Sequence, residues 1–258
     1  IEAAFHLPQI SSTFGYPWNQ NNSMKKTITI TIVSLIATAG FASAANISLS
    51  FDGNSNLGLV GSDTLIEVAG VNGVQAQDWV NLVGSSAASA DIDGGAGSAT
   101  ISFTTGYTLT TGNTFGTESH NLMDGAIRLG GGTDVNPIVS GLGTDYTSSG
   151  YDVYVYFGSD GHNRTHRFTL GGINNSGLEN AGQAYNGAFA ETNADGDVGN
   201  YMVFNGLTAA SFTISDNGSS GGGGLPAIAG IEIVSVPEPS SAALLGLGGL
   251  ALILRRRN

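Results

Sequence analysis

The chain has 258 residues, 20 Asp and Glu against 8 Lys and Arg, a net charge of −12, 40 glycines and no cysteine. A surface this acidic repels nucleic-acid phosphates and anionic lipid headgroups. The lack of cysteine excludes disulfides, thiolate catalysis and thiolate metal sites, so burial and hydrogen bonding must hold the folded part together.

Residues 1–23 mix aromatics with Asn and Gln without periodicity. They read as an upstream extension from a gene start placed too early, with no structure of its own. Met24-Lys25-Lys26, the apolar and Thr-rich stretch 27–41, and Ala42-Ser43-Ala44 follow. These are the charged n-region, the h-region and the A-x-A site of a secretory signal peptide over 24–44. Cleavage after Ala44 leaves Ala45 as the new N-terminus; the competing reading is an uncleaved anchor.

Residues 45–235 are enough for one domain with a real core. They carry 13 Asp and 5 Glu against three Arg and no Lys, a net of −15. Such a surface suits solubility outside the cell and attracts divalent cations. Residues 46–51 alternate, with Ile47, Leu49 and Phe51 on one face. Residues 64–68 are a short second candidate, and 77–83 plant Trp79 in the core as a strand or a loop. Residues 99–103 alternate cleanly, and 119–129 are the one place where a helical turn fits. Residues 151–157 (YDVYVYF) give the strongest strand: Tyr151, Val153, Val155 and Phe157 face one way, Asp152, Tyr154 and Tyr156 the other. Residues 165–170 follow a turn-rich Gly158-Ser159-Asp160-Gly161, so the two segments read as a hairpin. Residues 200–204, 210–215 and 227–234 complete the set. The Gly/Asn/Ser-rich stretch 216–224 excludes helix.

Nine short strands with almost no helical periodicity predict an all-β fold, an antiparallel β-sandwich of jelly-roll type. A signal helix precedes it and a transmembrane helix follows. A parallel β-helix is the competing architecture, but it needs a fixed repeat, and none is present.

Candidate chemistry is sparse. No G-x-S-x-G elbow and no H-E-x-x-H motif occurs in 45–235. His162 and His166 are four apart across a turn and a strand, which places them roughly 13 Å apart if extended, too far to share a zinc. They read as surface polar residues. A glycosidase needs two carboxylates facing across a cleft; Glu118, Asp124, Glu179 and Glu191 are available, but nothing singles out a pair. Calcium is the more physical suggestion. Asp91-Ile92-Asp93-Gly94 and Asn193-Ala194-Asp195-Gly196-Asp197 place oxygen ligands on alternate residues of Gly-containing loops. The EF-hand pattern itself fails, with Val198 where Gly belongs and Phe204 where Glu belongs. Glycan binding would use Tyr154 and Tyr156 as stacking rings, with Arg164 and Arg167 fixing hydroxyls. Its bland counterpart is aromatic rings in the core and arginines paired to local Asp.

Residues 236–258 read VPEPSSAALLGLGGLALILRRRN. Residues 240–254 carry no charge and span roughly 22 Å as a helix, short of the roughly 30 Å hydrocarbon core. The flanks settle the matter. Arg255, Arg256 and Arg257 sit where cytoplasmic charge belongs and can snorkel to extend the reach. Pro237 and Pro239 prevent the helix from running backwards. A buried core helix fits poorly, because Gly246, Gly248 and Gly249 weaken a helix in water.

Pro237, Glu238 and Pro239, then the apolar stretch, then the three arginines make this tail resemble the PEP-CTERM sorting signal of Gram-negative bacteria. The resemblance covers about a tenth of the chain. It implies processing by an exosortase, a membrane protease-transpeptidase, after passage through the secretion machinery, with the inner membrane holding the tail before release to the cell surface or exterior. It also implies organisms that make extracellular polysaccharide. The segments WVNL (79–82), YDVYVYFGSD (151–160), GNYMVF (199–204) and AGIEIV (229–234) resemble uncharacterised exported domains that carry this signal, and more loosely the galactose-binding-like sandwiches. Three readings follow: a non-enzymatic surface or matrix protein, a carbohydrate-binding module for exopolysaccharide or environmental glycan, and a glycan-active enzyme.

Overall fold

The computed structural model describes residues 45–52, 68–76, 79–93, 97–106, 108–110, 122–130, 135–158, 163–179, 185–221 and 225–237. In chain order the first strands are β1 (Asn46–Asp52), β2 (Trp79–Val83), β3 (Ser86–Asp91), β4 (Thr100–Thr104) and β5 (Thr108–Thr110). Then come β6 (Gly125–Arg128), β7 (Val135–Ser140), a single-turn helix α1 (Thr144–Thr147), β8 (Tyr151–Phe157), β9 (Arg164–Leu170) and β10 (Ile173–Leu178). The last are β11 (Tyr201–Leu207), β12 (Ser211–Thr213), β13 (Ser215–Asp216), β14 (Ser220–Gly221) and β15 (Ala227–Ser235). The described residues are β apart from short helical turns, as their alternation predicts.

Three sheets form. The largest runs β11-β8-β15-β1-β2, with β6 on β15 and β5 on β6; the others run β10-β9-β13, with β14 also on β9, and β12-β7-β4-β3. Ring contacts stack the first sheet on the other two: Phe51 against Phe103 at 5.2 Å, Tyr151 against Phe212 at 6.1 Å and Phe157 against Phe168 at 6.4 Å. Between them lies the main core, fed by Ile47, Leu49 and Phe51 of β1, Val153 and Val155 of β8, and Ile231 and Ile233 of β15. The other face of the first sheet is also covered. Trp79, Tyr156, Tyr185, Tyr201, Leu122 and Met123 form a second apolar cluster there. The alternation of β8 splits its residues between the two clusters as its sequence requires.

Three expectations are corrected. Residues 151–157 and 165–170 do not form a hairpin. Both edges of β8 are filled, by β11 (Tyr154 opposite Val203) and by β15 (Val153 opposite Ile233). β9 therefore crosses to the opposite layer, where it pairs with β10. The sheet pairing is not wholly antiparallel, since β1 and β2 run parallel, Leu49 beside Val80. The helical turn expected within 119–129 is present at Leu122, with Met123 and Asp124 in a turn, and the segment then continues as strand, Ile127 and Arg128 pairing with Ile228 and Ala227 of β15. Residues 119–121 of that segment, and 64–67 of the second candidate strand, lie outside the described residues. His166 is not a surface residue: it is fully buried.

Candidate functional site

The predicted calcium loops use their carboxylates on the protein itself. Asp91 Oδ1 accepts the Asp93 amide at 3.1 Å, and Asp93 Oδ2 accepts the Ala99 amide at 2.9 Å. Asp195 is gripped by a guanidinium: Arg167 Nε donates to Oδ1 at 3.0 Å and Nη2 to Oδ2 at 2.8 Å. That bond holds the Asp195 carboxyl below the usual range, with a further contribution from Ser176. Both oxygens of that central carboxylate are thus engaged by one arginine. Asp197 is exposed beside it, and no cluster of three metal-ligating side chains forms among the described residues.

The predicted glycan contacts separate. Arg167 also donates to Gly218 O at 2.6 Å, so it staples β9 to two loops. Arg164 and Tyr156 are fully buried and offer no face to a sugar: the second apolar cluster covers the Tyr156 face of β8, and Arg164 shares the inner face of β9 with His166 and Phe168. Tyr154 is half-buried and stacks on Tyr201 at 6.3 Å. It is the one Tyr or Trp side chain described that is not buried. The carboxylates do not gather either. Asp124 and Glu179 are buried, Glu191 is exposed, and Glu118 lies outside the described residues.

Two buried polar groups went unread in the sequence. His166 Nδ1 accepts the Ala227 amide at 3.2 Å, which leaves Nε2 to carry the proton and donate to Glu179 Oε2 at 3.1 Å. Glu232, on the core strand β15, is fully buried. Its Oε2 accepts the Tyr156 hydroxyl at 2.7 Å and its Oε1 accepts Asn46 Nδ2 at 2.9 Å. Burial pushes the Glu232 carboxyl up to about 7 against these two bonds, and raises the Tyr156 phenol further still from its ordinary value. The available signal was one carboxylate inside the apolar run AIAGIEIVS.

The end of β15 is the feature that organises the molecule. The last strand lies inside the largest sheet, between β8 and β1. Its partner β1 is the first described strand, and the pair is antiparallel, Asn46 opposite Val234. Ser235 donates its amide to Ala45 O at 2.9 Å, and the Ala45 amide donates to Ser235 Oγ at 2.7 Å. The residue that signal cleavage would expose therefore sits against the residue that precedes the tail. Val236 makes the last backbone bond, its amide to Gly150 O at 2.9 Å. Pro237 has no N–H to continue the ladder and is exposed.

Residues 235–257 match the PEP-CTERM protein-sorting motif. Comparison with curated proteins finds no match, and comparison with solved structures finds none either. The sorting motif thus begins on Ser235, the last residue of the folded sheet, with no linker between them. Glu238, Pro239, Arg255, Arg256 and Arg257 of the motif, and Ala42 and Ala44 of the predicted cleavage site, lie outside the described residues. Among the described residues no helix is long and apolar enough to cross a membrane.

Proposed function

We propose that this chain is an exported, non-catalytic β-sandwich protein of jelly-roll type. An exosortase processes its tail at the inner membrane, and the domain then resides at the cell surface or in the extracellular matrix. The observation that carries the reading is the sorting motif at residues 235–257, placed directly against a folded, strongly acidic, cysteine-free domain. The jelly-roll reading is supported by the way consecutive strands change sheets, β8 to β9 and β11 to β12, rather than closing hairpins. A second reading, glycan binding, is favoured by one observation, the partly open ring of Tyr154, whose phenol is raised by burial first and then by the nearby Asp152, Glu232 and Glu191.

The sorting reading is tested by the triple variant Pro237→Ala/Glu238→Ala/Pro239→Ala in the native host. The expected result is an unprocessed chain retained in the membrane fraction; unchanged processing and location overturn it. A glycan array on the purified protein, run with and without calcium, tests the second reading and the 91–94 loop together. Binding that survives Tyr154→Ala would remove Tyr154 from any sugar site.

A further inference from the structure

Residues 69–76 form a short strap over the outer face of the largest sheet. Ala69 and Ala76 exchange both backbone hydrogen bonds at 3.1 Å and so close the loop. Three side chains grip it. Tyr156 Oη accepts the Val71 amide at 3.1 Å, Asn46 Nδ2 donates to Val74 O at 3.2 Å, and Trp79 Nε1 donates to Ala76 O at 3.1 Å. Gly70 lies flat on the sheet: a Cβ there would sit 3.0 Å from Tyr156 Oη and 3.1 Å from Glu232 Oε2.

Two of the three gripping side chains share one anchor. Tyr156 and Asn46 both donate to Glu232, one to each carboxylate oxygen. Glu232 is fully buried, and the cause of its perturbation is desolvation. From β8 it faces Tyr154 and Tyr156, from β1 Asn46 and Ser48, from β2 Trp79, and from the strap Gly70. Asp152 and Glu191 lie further out around Tyr154, and Asp124 is buried on the segment that brings Leu122 over Gly230. None of these is a cation that would pair with an ionised carboxylate.

We propose that residues 69–76 are a pH-sensitive strap, latched to the sheet through Glu232 and loosened as that carboxylate ionises. A neutral carboxyl tolerates the closed site. An ionised one gains hydration only if water reaches it, and on its two flanks the ladders to β8 and β1 stand in the way. Lifting the strap is the low-cost route, because three side-chain bonds and one small hairpin are given up rather than a sheet. The strap is firm at acid pH and looser at alkaline pH. On the export reading above, on which this consequence rests, the domain meets an external pH that the cell does not buffer.

The test is amide exchange of the full chain in detergent micelles between pH 5.5 and 8.5, corrected for intrinsic rates. The protection of the Val71 amide is expected to fall about 30-fold across that range, if opening restores an ordinary Glu pKa. The Val153 and Ile231 amides of the β8–β15 pair, which open only with the whole domain, are expected to stay better protected than Val71 at every pH, and Glu232→Gln to abolish the fall at Val71. Protection of Val71 that is flat in the wild type, or that falls equally in Glu232→Gln, overturns the proposal. So does protection of Val71 equal to that of Val153 and Ile231 throughout, which would mean that the strap opens only with the whole domain. Should Glu232→Gln not fold, the contrast between Val71 and the two sheet amides in the wild type decides alone.

Discussion

Glu232 sets the pH dependence expected at the scale of single residues. Its carboxyl is raised from 4.5 to about 7 in the folded protein, so ionisation favours the unfolded chain. The stability tied to its neutral form is complete below pH 4.5 and is lost as pH rises to about 7. A shift of that size corresponds to roughly 3 kcal/mol as an upper figure. Glu232→Gln should therefore flatten the stability difference between pH 5 and pH 8, read from denaturant midpoints at the two values. An unchanged difference would show that the carboxyl is not perturbed. Gly230, two residues earlier, makes a second residue-scale case. A Cβ there would meet Leu122 Cδ1 at 2.7 Å and Leu49 O at 2.8 Å, inside the largest sheet. Gly230→Ala should cost about 1–3 kcal/mol by overpacking, measurable as a lower denaturant midpoint at constant slope. The polar residue types were visible in the sequence, but their burial was not. Tyr156 looks solvent-facing until the second cluster covers its face of β8, and Arg164 and His166 look like turn-flanking surface residues until β9 turns that face onto the main core.

At the scale of elements, β15 carries the most. It pairs with β1, β6 and β8, and it is the last strand before the sorting motif. A chain ending at residue 236 is expected to keep the protease resistance of the full domain, whereas one ending at residue 226 should lose it. Equal resistance of the two would show that β15 is dispensable. Within β15, Ile231 and Ile233 are fully buried in the main core, and either Ile→Ala change should cost about 2–5 kcal/mol. Strands β1, β8, β11 and β15 were legible because each alternates or runs apolar for several residues. β3 (SAASAD), β7 (VNPIVS) and β10 (INNSGL) were not, being made of small, amide or Pro-containing sequence. Their pairing partners make them strands: β3 completes an edge against β4, and β10 lies along β9. The failed hairpin has a similar cause, since alternation specifies the faces of a strand but not its neighbours.

For the whole molecule, the antiparallel β1–β15 pair brings the start of the folded domain and its exit to the same pole. The chain holds no cysteine, so a single engineered pair is unambiguous. Ala45→Cys/Ser235→Cys should oxidise to an intramolecular disulfide in the folded protein, seen as faster migration on a non-reducing gel. Failure to close under oxidising conditions would place the two ends apart. The sequence by itself determined the all-β class, the acidic charge, the two faces of its best strands and the sorting motif, because each depends on composition, short-range periodicity or a contiguous run of residues. Only the tertiary structure decided that the last strand lies inside the largest sheet, that β8 and β9 part to different layers, and that Glu232 and His166 are buried with fixed partners. Those features depend on which distant segments pair, and local patterns leave that choice open.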